Sequence, residues 1–255
     1  MLRYEVESPR ATITIDDPGR RNPLSNSVIA ELAERIDEAA ADDAVRVIVV
    51  TGAGDQAFSA GGDLSGGFVD HPLADHTQRG ALAHLLRSMR TCGKPVVARV
   101  NGHALAGGLG LAAACDIVIA VDGATFGAPE IKVGLWPMMI TAVLQRVMPP
   151  RAALELMMTG RRIPAVEAMR LGIVSRVVGA DDLDDSVDLI VDELAAMSPA
   201  VLRLGRNAFY AASDMDFDAA LELLHGGLTA VASTEDAAEG VAAFLEKRRP
   251  EWRGR

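Results

Sequence analysis

From Ala11 to Ile15 apolar and polar residues alternate, with Ile13 and Ile15 on one face, which predicts an early strand. The segment RRNPLSNS, from Arg20 to Ser27, then supplies turn and cap residues. Ile29, Leu32, Ala33, Ile36 and Ala40 recur at helical spacing and predict an amphipathic helix to about Ala41. Val45 to Thr51, VRVIVVT, is a β-branched apolar run and predicts a buried central strand. A helix is expected over Ala81 to Arg90, a second buried strand over Val96 to Val100, and a third over Ile117 to Val121. Strand, turn, helix and strand in repetition imply an α/β fold whose helices cover a largely buried sheet.

Beyond about Val178 the pattern changes. Asp181 to Met197, Ala200 to Ala212, Phe217 to Ala232 and Glu235 to Lys247 all predict helices, separated by Pro199, Asp214 and the Ser233-Thr234 cap. The chain therefore divides into an α/β core, residues 1–178, and a helical C-terminal region, residues 179–255. That region is expected to pack on the core or on another subunit. No internal repeat, low-complexity segment or linker interrupts the chain.

Composition narrows the function classes. Of 255 residues, 49% are hydrophobic and 24% charged, which marks a globular chain. Net charge is −10, from 25 basic and 35 acidic side chains, which argues against a nucleic-acid partner bound by phosphate neutralisation. Two cysteines, Cys92 and Cys115, give no disulfide framework and fit a reduced, cytoplasmic setting. MLRYEVESPR lacks an apolar signal core. The most apolar stretch, Ala104 to Val121, is interrupted by Asp116 and by glycines, so it reads as a helix and strand rather than a membrane span.

Two glycine-rich loops follow predicted strands. In GAGDQAFSAGGDL, Gly52 to Leu64, the first six residues fit the loose dinucleotide pattern G-x-G-x-x-A. A true fingerprint opens a helix, whereas Gly61, Gly62, Gly66 and Gly67 interrupt one here, so a glycine-rich turn is the better reading of that loop alone. The second loop, NGHALAGGLG from Asn101 to Gly110, lacks the Lys-Ser/Thr ending of a P-loop. Glycine lets backbone N–H groups approach a ligand closely, and a helix N-terminus adds positive potential. Two such turns at adjacent strand ends can aim two N–H donors at one oxygen, an oxyanion hole. Ser59 lies outside any G-x-S-x-G elbow, and His71, His76 and His84 show no metal-ligand pattern, so no metal is expected.

FSAGGDL, VNGHALAGG, ACDIVIA and FGAPEIKVGLWP, in that order, resemble the crotonase family, also called the enoyl-CoA hydratase/isomerase family. The resemblance runs from the Arg20-Arg21-Asn22 turn to Glu246-Lys247-Arg248. It implies a spiral of ββα units, a helical C-terminal trimerisation region, and a homotrimer or a hexamer of paired trimers. It also implies an acyl-CoA thioester ligand whose oxygen is held by the N–H groups of Gly62 and Gly107. No metal or redox cofactor is implied; coenzyme A enters as part of the substrate.

Read from its neighbours alone, Glu130 in FGAPEIKVG is a solvent-facing glutamate at a loop–helix junction. The resemblance reverses this and makes Glu130 the acid–base group. Family hydratases carry a second glutamate where this chain has Gly110, and dienoyl-CoA isomerases need acidic groups that would fall on Gly110 and Met138. Glu130 alone fits an isomerase-type proton shuttle, with hydration still open.

The resemblance further suggests that Arg21, Ala60, Gly62, Asp63 and Leu64 line the coenzyme A site. Arg20 and Arg21 also read as solvated turn residues. Phe244 and Lys247 match a tail pair that reaches the coenzyme A of a neighbouring subunit in relatives, and equally read as an ordinary helix end with a favourable cation. Phe68, Leu73, Leu85, Trp136 and Met139 are acyl-pocket candidates. Asp116 reads as structural and His103 as packing. Two alternatives stand beside the enzyme: a non-catalytic acyl-CoA-binding protein, and a nicotinamide-dependent oxidoreductase resting on GAGDQA alone.

Overall fold

The computed structural model of the chain describes residues 1–64 and 76–255. The chain opens with a hairpin, β1 (Leu2–Glu7) and β2 (Arg10–Ile15), then β3 (Pro23–Leu24) and α1 (Asn26–Ala41). Three strands follow, β4 (Val47–Gly52), β5 (Ala57–Ser59) and β6 (Gly61–Gly62), and then α2 (His76–Thr91). Next come β7 (Val96–Val100), β8 (His103–Leu105), α3 (Gly107–Ala113), β9 (Ile117–Val121) and β10 (Thr125–Gly127). A 3-10 turn over Pro129–Val133 leads to α4 (Met138–Val147), α5 (Pro150–Thr159), β11 (Arg162–Pro164), α6 (Ala165–Arg170) and β12 (Arg176–Val178). The chain finishes with α7 (Leu183–Ala195), α8 (Pro199–Ala212), α9 (Phe217–Ala232) and α10 (Glu235–Glu246).

Local chemistry explains the boundaries. The Ser25 hydroxyl accepts the Val28 N–H and caps α1, whose Val28, Ile29, Leu32, Ala33, Ile36 and Ala39 form the buried stripe. All six residues of β4 are buried, as a central parallel strand covered on both faces requires.

The strands divide between two main sheets. One has the order β1-β2-β4-β7-β9-β12 and the other β11-β10-β8-β5, with a small β3-β6 pair beside them. From β4 onward the chain alternates: β4, β7 and β9 enter the six-stranded sheet, and their successors β5, β8 and β10 enter the four-stranded one. A helix follows each such pair before the next begins, so the ββα spiral is visible in the element order itself. The largely buried sheet expected from the long strands is the six-stranded one, and a second sheet accompanies it. The second sheet is built of three-residue strands, too short to show an alternating pattern. His103–Leu105, expected as part of a loop leading into a helix, is one of them.

GAGDQA spans the end of β4, a turn and the first residue of β5, and no helix starts within it. A dinucleotide fingerprint needs its pyrophosphate on a helix N-terminus, so the oxidoreductase alternative loses its one sequence feature.

The last helices behave in two ways. α7 buries Leu183, Val187, Ile190 and Val191. α9 buries nothing, and its Phe217 and Leu228 are 76% and 66% exposed. What fixes α8 to the core is polar. Asp116, at the α3–β9 junction, accepts from the Arg206 Nε at 2.8 Å, the Tyr210 hydroxyl at 2.5 Å and the Val96 N–H at 2.7 Å. Asp116 is thus structural, as its sequence context indicates. Among the described residues no helix is long and apolar enough to cross a membrane.

Candidate active site

Three neighbouring strands of the four-stranded sheet, β5, β8 and β10, run parallel, with Ser59 beside Ala104 and Leu105 beside Gly127. Parallel strands release their chains at one end, and in open α/β sheets that end is where ligands bind. β5 continues into Gly61-Gly62, β8 into Gly107, and β10 into Glu130. The topology therefore delivers three of the expected residues to a single sheet end.

The first turn is held from beneath. Ala60 N–H donates to Arg21 O at 2.9 Å and Asp63 N–H to Leu24 O at 3.1 Å. Successive N–H groups of a strand point to opposite edges, so Gly62, one residue before Asp63, turns its N–H away from β3. Gly61 takes φ +91, a conformation suited to glycine. Its N–H is satisfied by the Ser59 hydroxyl at 3.1 Å.

The second turn is strained. Ala106 has φ 52 and ψ −125, and its N–H donates to Gly127 O at 2.8 Å, locking β8 against β10. Ala106 O accepts from Gly110 N–H at 3.2 Å and so opens α3. The N–H groups of Gly107, Gly108 and Leu109 precede that bond and have no acceptor inside the helix. A Cβ placed on Gly107 would lie 3.7 Å from Gly62 N and 3.4 Å from Leu24 Cδ1. The two glycine turns are direct neighbours, with Leu24 beneath them.

Glu130 sits in the first turn of the 3-10 segment, where its carbonyl accepts from Leu135 N–H at 3.0 Å. Its Oε2 is buried and has no hydrogen-bond partner. Burial pushes its carboxyl above the ordinary glutamate range. A desolvated carboxylate with one oxygen unpartnered is poised to take and return a proton. Met138 is 72% exposed, while Trp136 and Met139 are partly buried against the core.

Gly110 is filled from outside. A Cβ there would lie 2.1 Å from Ile140 Cγ2 and 2.7 Å from Ile140 Cβ, so Ile140 of α4 occupies the space that a side chain on Gly110 would need.

Other expected residues are dispersed. Asp63 is engaged by Arg20 at 2.8 Å, which ties the 20–22 turn to the β6 end. Arg21 caps the short 3-10 turn Pro18–Arg20 in a left-handed conformation. Leu64 is 48% exposed. Phe244 is 82% exposed and Lys247 caps α10, which packs on α8 and α9. Leu85 is fully buried in the core. Gly66, Gly67, Phe68, His71 and Leu73 lie outside the described residues. His103 Nδ1 pairs with the Thr125 hydroxyl at 3.0 Å; burial, with Arg162 and Arg21 nearby, keeps its pKa below the ordinary value.

Sequence reasoning missed Asn22, whose fully buried amide donates to Ala53 O at 3.0 Å and Ala57 O at 2.7 Å and accepts from Asp17 N–H at 3.0 Å. It pins the turn that carries Arg21 to the loop that carries Gly62. It also missed Ile140, whose position ten residues after Glu130 carries no local signal.

The fold and this strand-end arrangement define a crotonase-type α/β spiral. An enoyl-CoA hydratase of Mycobacterium smegmatis superposes with a TM-score of 0.94 at 33% identity, covering 98% of each chain. Human enoyl coenzyme A hydratase domain-containing protein 3 does so with a TM-score of 0.94 at 31% identity, covering 98% of this chain and 99% of that one. A carnitinyl-CoA dehydratase of Proteus mirabilis is 36% identical over 249 residues, 95% of this chain and 94% of that one. The enoyl-CoA hydratase/isomerase family model matches residues 5–255, and the chain belongs to that family of enzymes.

Proposed function

We propose that the chain moves a double bond along an acyl-CoA thioester, with Glu130 as the single proton shuttle and the Gly62 and Gly107 N–H groups as oxyanion donors. The observation that carries this reading is the buried, unpartnered Glu130 Oε2, in the 3-10 turn that follows β10, the strand paired with β8. Glu130 removes a proton from C2 of a 3-enoyl thioester. The electron pair moves onto the thioester oxygen, where each preorganised donor contributes roughly 3–4 kcal/mol to the barrier reduction. Return of that proton at C4 leaves the 2-enoyl product, so atoms and charge balance without a metal or redox cofactor. In this reading Arg21, Ala60, Asp63 and Leu64 contact the coenzyme A portion, and Phe244 and Lys247 reach that of a neighbouring subunit.

The exposed apolar residues of α8 to α10 support a homotrimer or hexamer, and the low cysteine count supports a cytoplasmic setting. A second reading, addition or removal of water, is favoured by the names hydratase and dehydratase among the relatives.

The test is a turnover screen of 3-enoyl-CoA and 2-enoyl-CoA, with acetyl-CoA and NAD binding titrated alongside. Isomerisation faster than hydration supports the first reading, and robust hydration supports the second. Thioester binding without turnover supports a non-catalytic acyl-CoA-binding protein. Tight NAD binding without coenzyme A binding overturns all three.

A further inference from the structure

Gly110 lies one turn into α3, on the same face as Gly107, so whatever fills its side-chain space backs the second glycine turn. That space is filled by Ile140, 2% exposed, with Leu144 fully buried one turn further along α4. The surrounding polar groups are committed. Gly110 N–H donates to Ala106 O at 3.2 Å, and Gly110 O accepts from Ala114 N–H at 3.0 Å. The hydroxyl of Thr141, next to Ile140, donates to Pro137 O at 2.8 Å and contacts Met157 Sδ at 3.3 Å. A held water needs about 2–4 polar partners, and the Gly110 and Thr141 groups that border Ile140 already have theirs.

We infer that Ile140 is a specificity-determining residue: its side chain keeps the α3–α4 side of the site dry, so the thioester carbons meet Glu130 and no positioned water. The inference rests on the single-shuttle reading above. A proton moved from C2 to C4 needs no water. Addition at C3 does, because the O–H bond of water must break while the C3–O bond forms and C2 takes a proton. Ile140 leaves the first step untouched and denies the second its nucleophile.

The experiment replaces the wall and reads the ratio of two initial rates, hydration of 2-enoyl-CoA over isomerisation of 3-enoyl-CoA. Ile140→Thr and Ile140→Asn add a polar group, and Ile140→Val keeps the wall apolar. The polar variants should raise the ratio by roughly tenfold, less than the ~10²–10⁴ of a full acid–base group, while Ile140→Val leaves it unchanged. A merely structural role would lower both rates together and leave the ratio where it was. A folded polar variant with the wild-type ratio overturns the inference. Wild-type protein that isomerises nothing overturns the single-shuttle reading, and this inference with it. Thermal unfolding checks the packing without any substrate. Gly110→Ala should lower Tm in the wild type and much less in Ile140→Ala, because contacting residues couple. Equal losses in both backgrounds overturn the pairing of Gly110 with Ile140.

Discussion

Ala106 Cβ lies 2.5 Å from the point where a side chain on Gly61 would begin. The two glycine turns press together so closely that one of them must lack a β-carbon at this contact. Gly61 also carries φ +91, and Leu105 O lies 2.7 Å from the same point. Its neighbour differs. A Cβ on Gly62 meets no described atom within 4 Å. Gly61→Ala should therefore destabilise the protein by about 2–5 kcal/mol, combining backbone strain with overpacking. Gly62→Ala should stay within about 1 kcal/mol of wild type. Urea unfolding of the two variants measures the contrast, and equal losses would contradict this account of the contact.

Glu130 supplies a pH prediction of definite sign. Burial raises its pKa above the ordinary 4.5, so the folded state holds the proton more tightly than the unfolded one. Its stabilising share is complete below the ordinary carboxylate range and lost as pH rises through the raised value. At pH 7 the ionised carboxylate is a burden on the fold. Glu130→Gln should raise Tm at pH 7, and the gain should vanish toward pH 4. The same substitution should cut isomerisation by roughly 10²–10⁴ with coenzyme A binding retained. Wild-type kcat should rise with pH through a midpoint above 4.5, since the base must be ionised to act.

The Arg206–Asp116 pair is a structural joint, with side chains 8% and 19% exposed. Arg206→Met leaves the carboxylate partly buried without its cation. A loss of about 3–5 kcal/mol is expected in chemical denaturation, with KM for the thioester unchanged under native conditions. A change confined to KM, at unaltered stability, would instead mark Asp116 as part of the site.

The apolar face of α9 yields a prediction on assembly. Phe217, Leu221 and Leu228 are exposed in the single chain although all are apolar. Leu228→Asp should reduce the oligomer to monomers in light scattering, with far-UV circular dichroism preserved. A wild type that is already monomeric at micromolar concentration would remove the basis for a trimer or hexamer.

Sequence patterning reached the long elements because they carry enough turns or alternations to show a period. The helix predicted over Phe217 to Ala232 coincides with α9, and Val96 to Val100 with β7. It missed β1, although LRYEVE alternates Leu2, Tyr4 and Val6 with charged residues; none of the six is fully buried. It also missed the four-stranded sheet, whose strands are each three residues long. At the proposed site, Glu130 rests on resemblance to a family, and Gly62 and Gly107 on that resemblance together with the pairing of two glycine-rich turns. Alone, each motif reads as a turn or a surface carboxylate. Asn22 and Ile140 were beyond reach because their significance lies in tertiary partners: carbonyls of Ala53 and Ala57 for one, the bare α-carbon of Gly110 for the other.

The six-stranded sheet lists its members in the order of synthesis, β1, β2, β4, β7, β9, β12. Each strand after the first hairpin lies against one already made, so a growing chain can add layers without waiting for distant sequence. One late addition is α8, whose Arg206 and Tyr210 reach back to Asp116 across 90 and 94 residues. Until those helices emerge from the ribosome, Asp116 stands without its cation. A nascent chain stopped short of α8 would thus hold its sheet with the junction at Asp116 still unlatched.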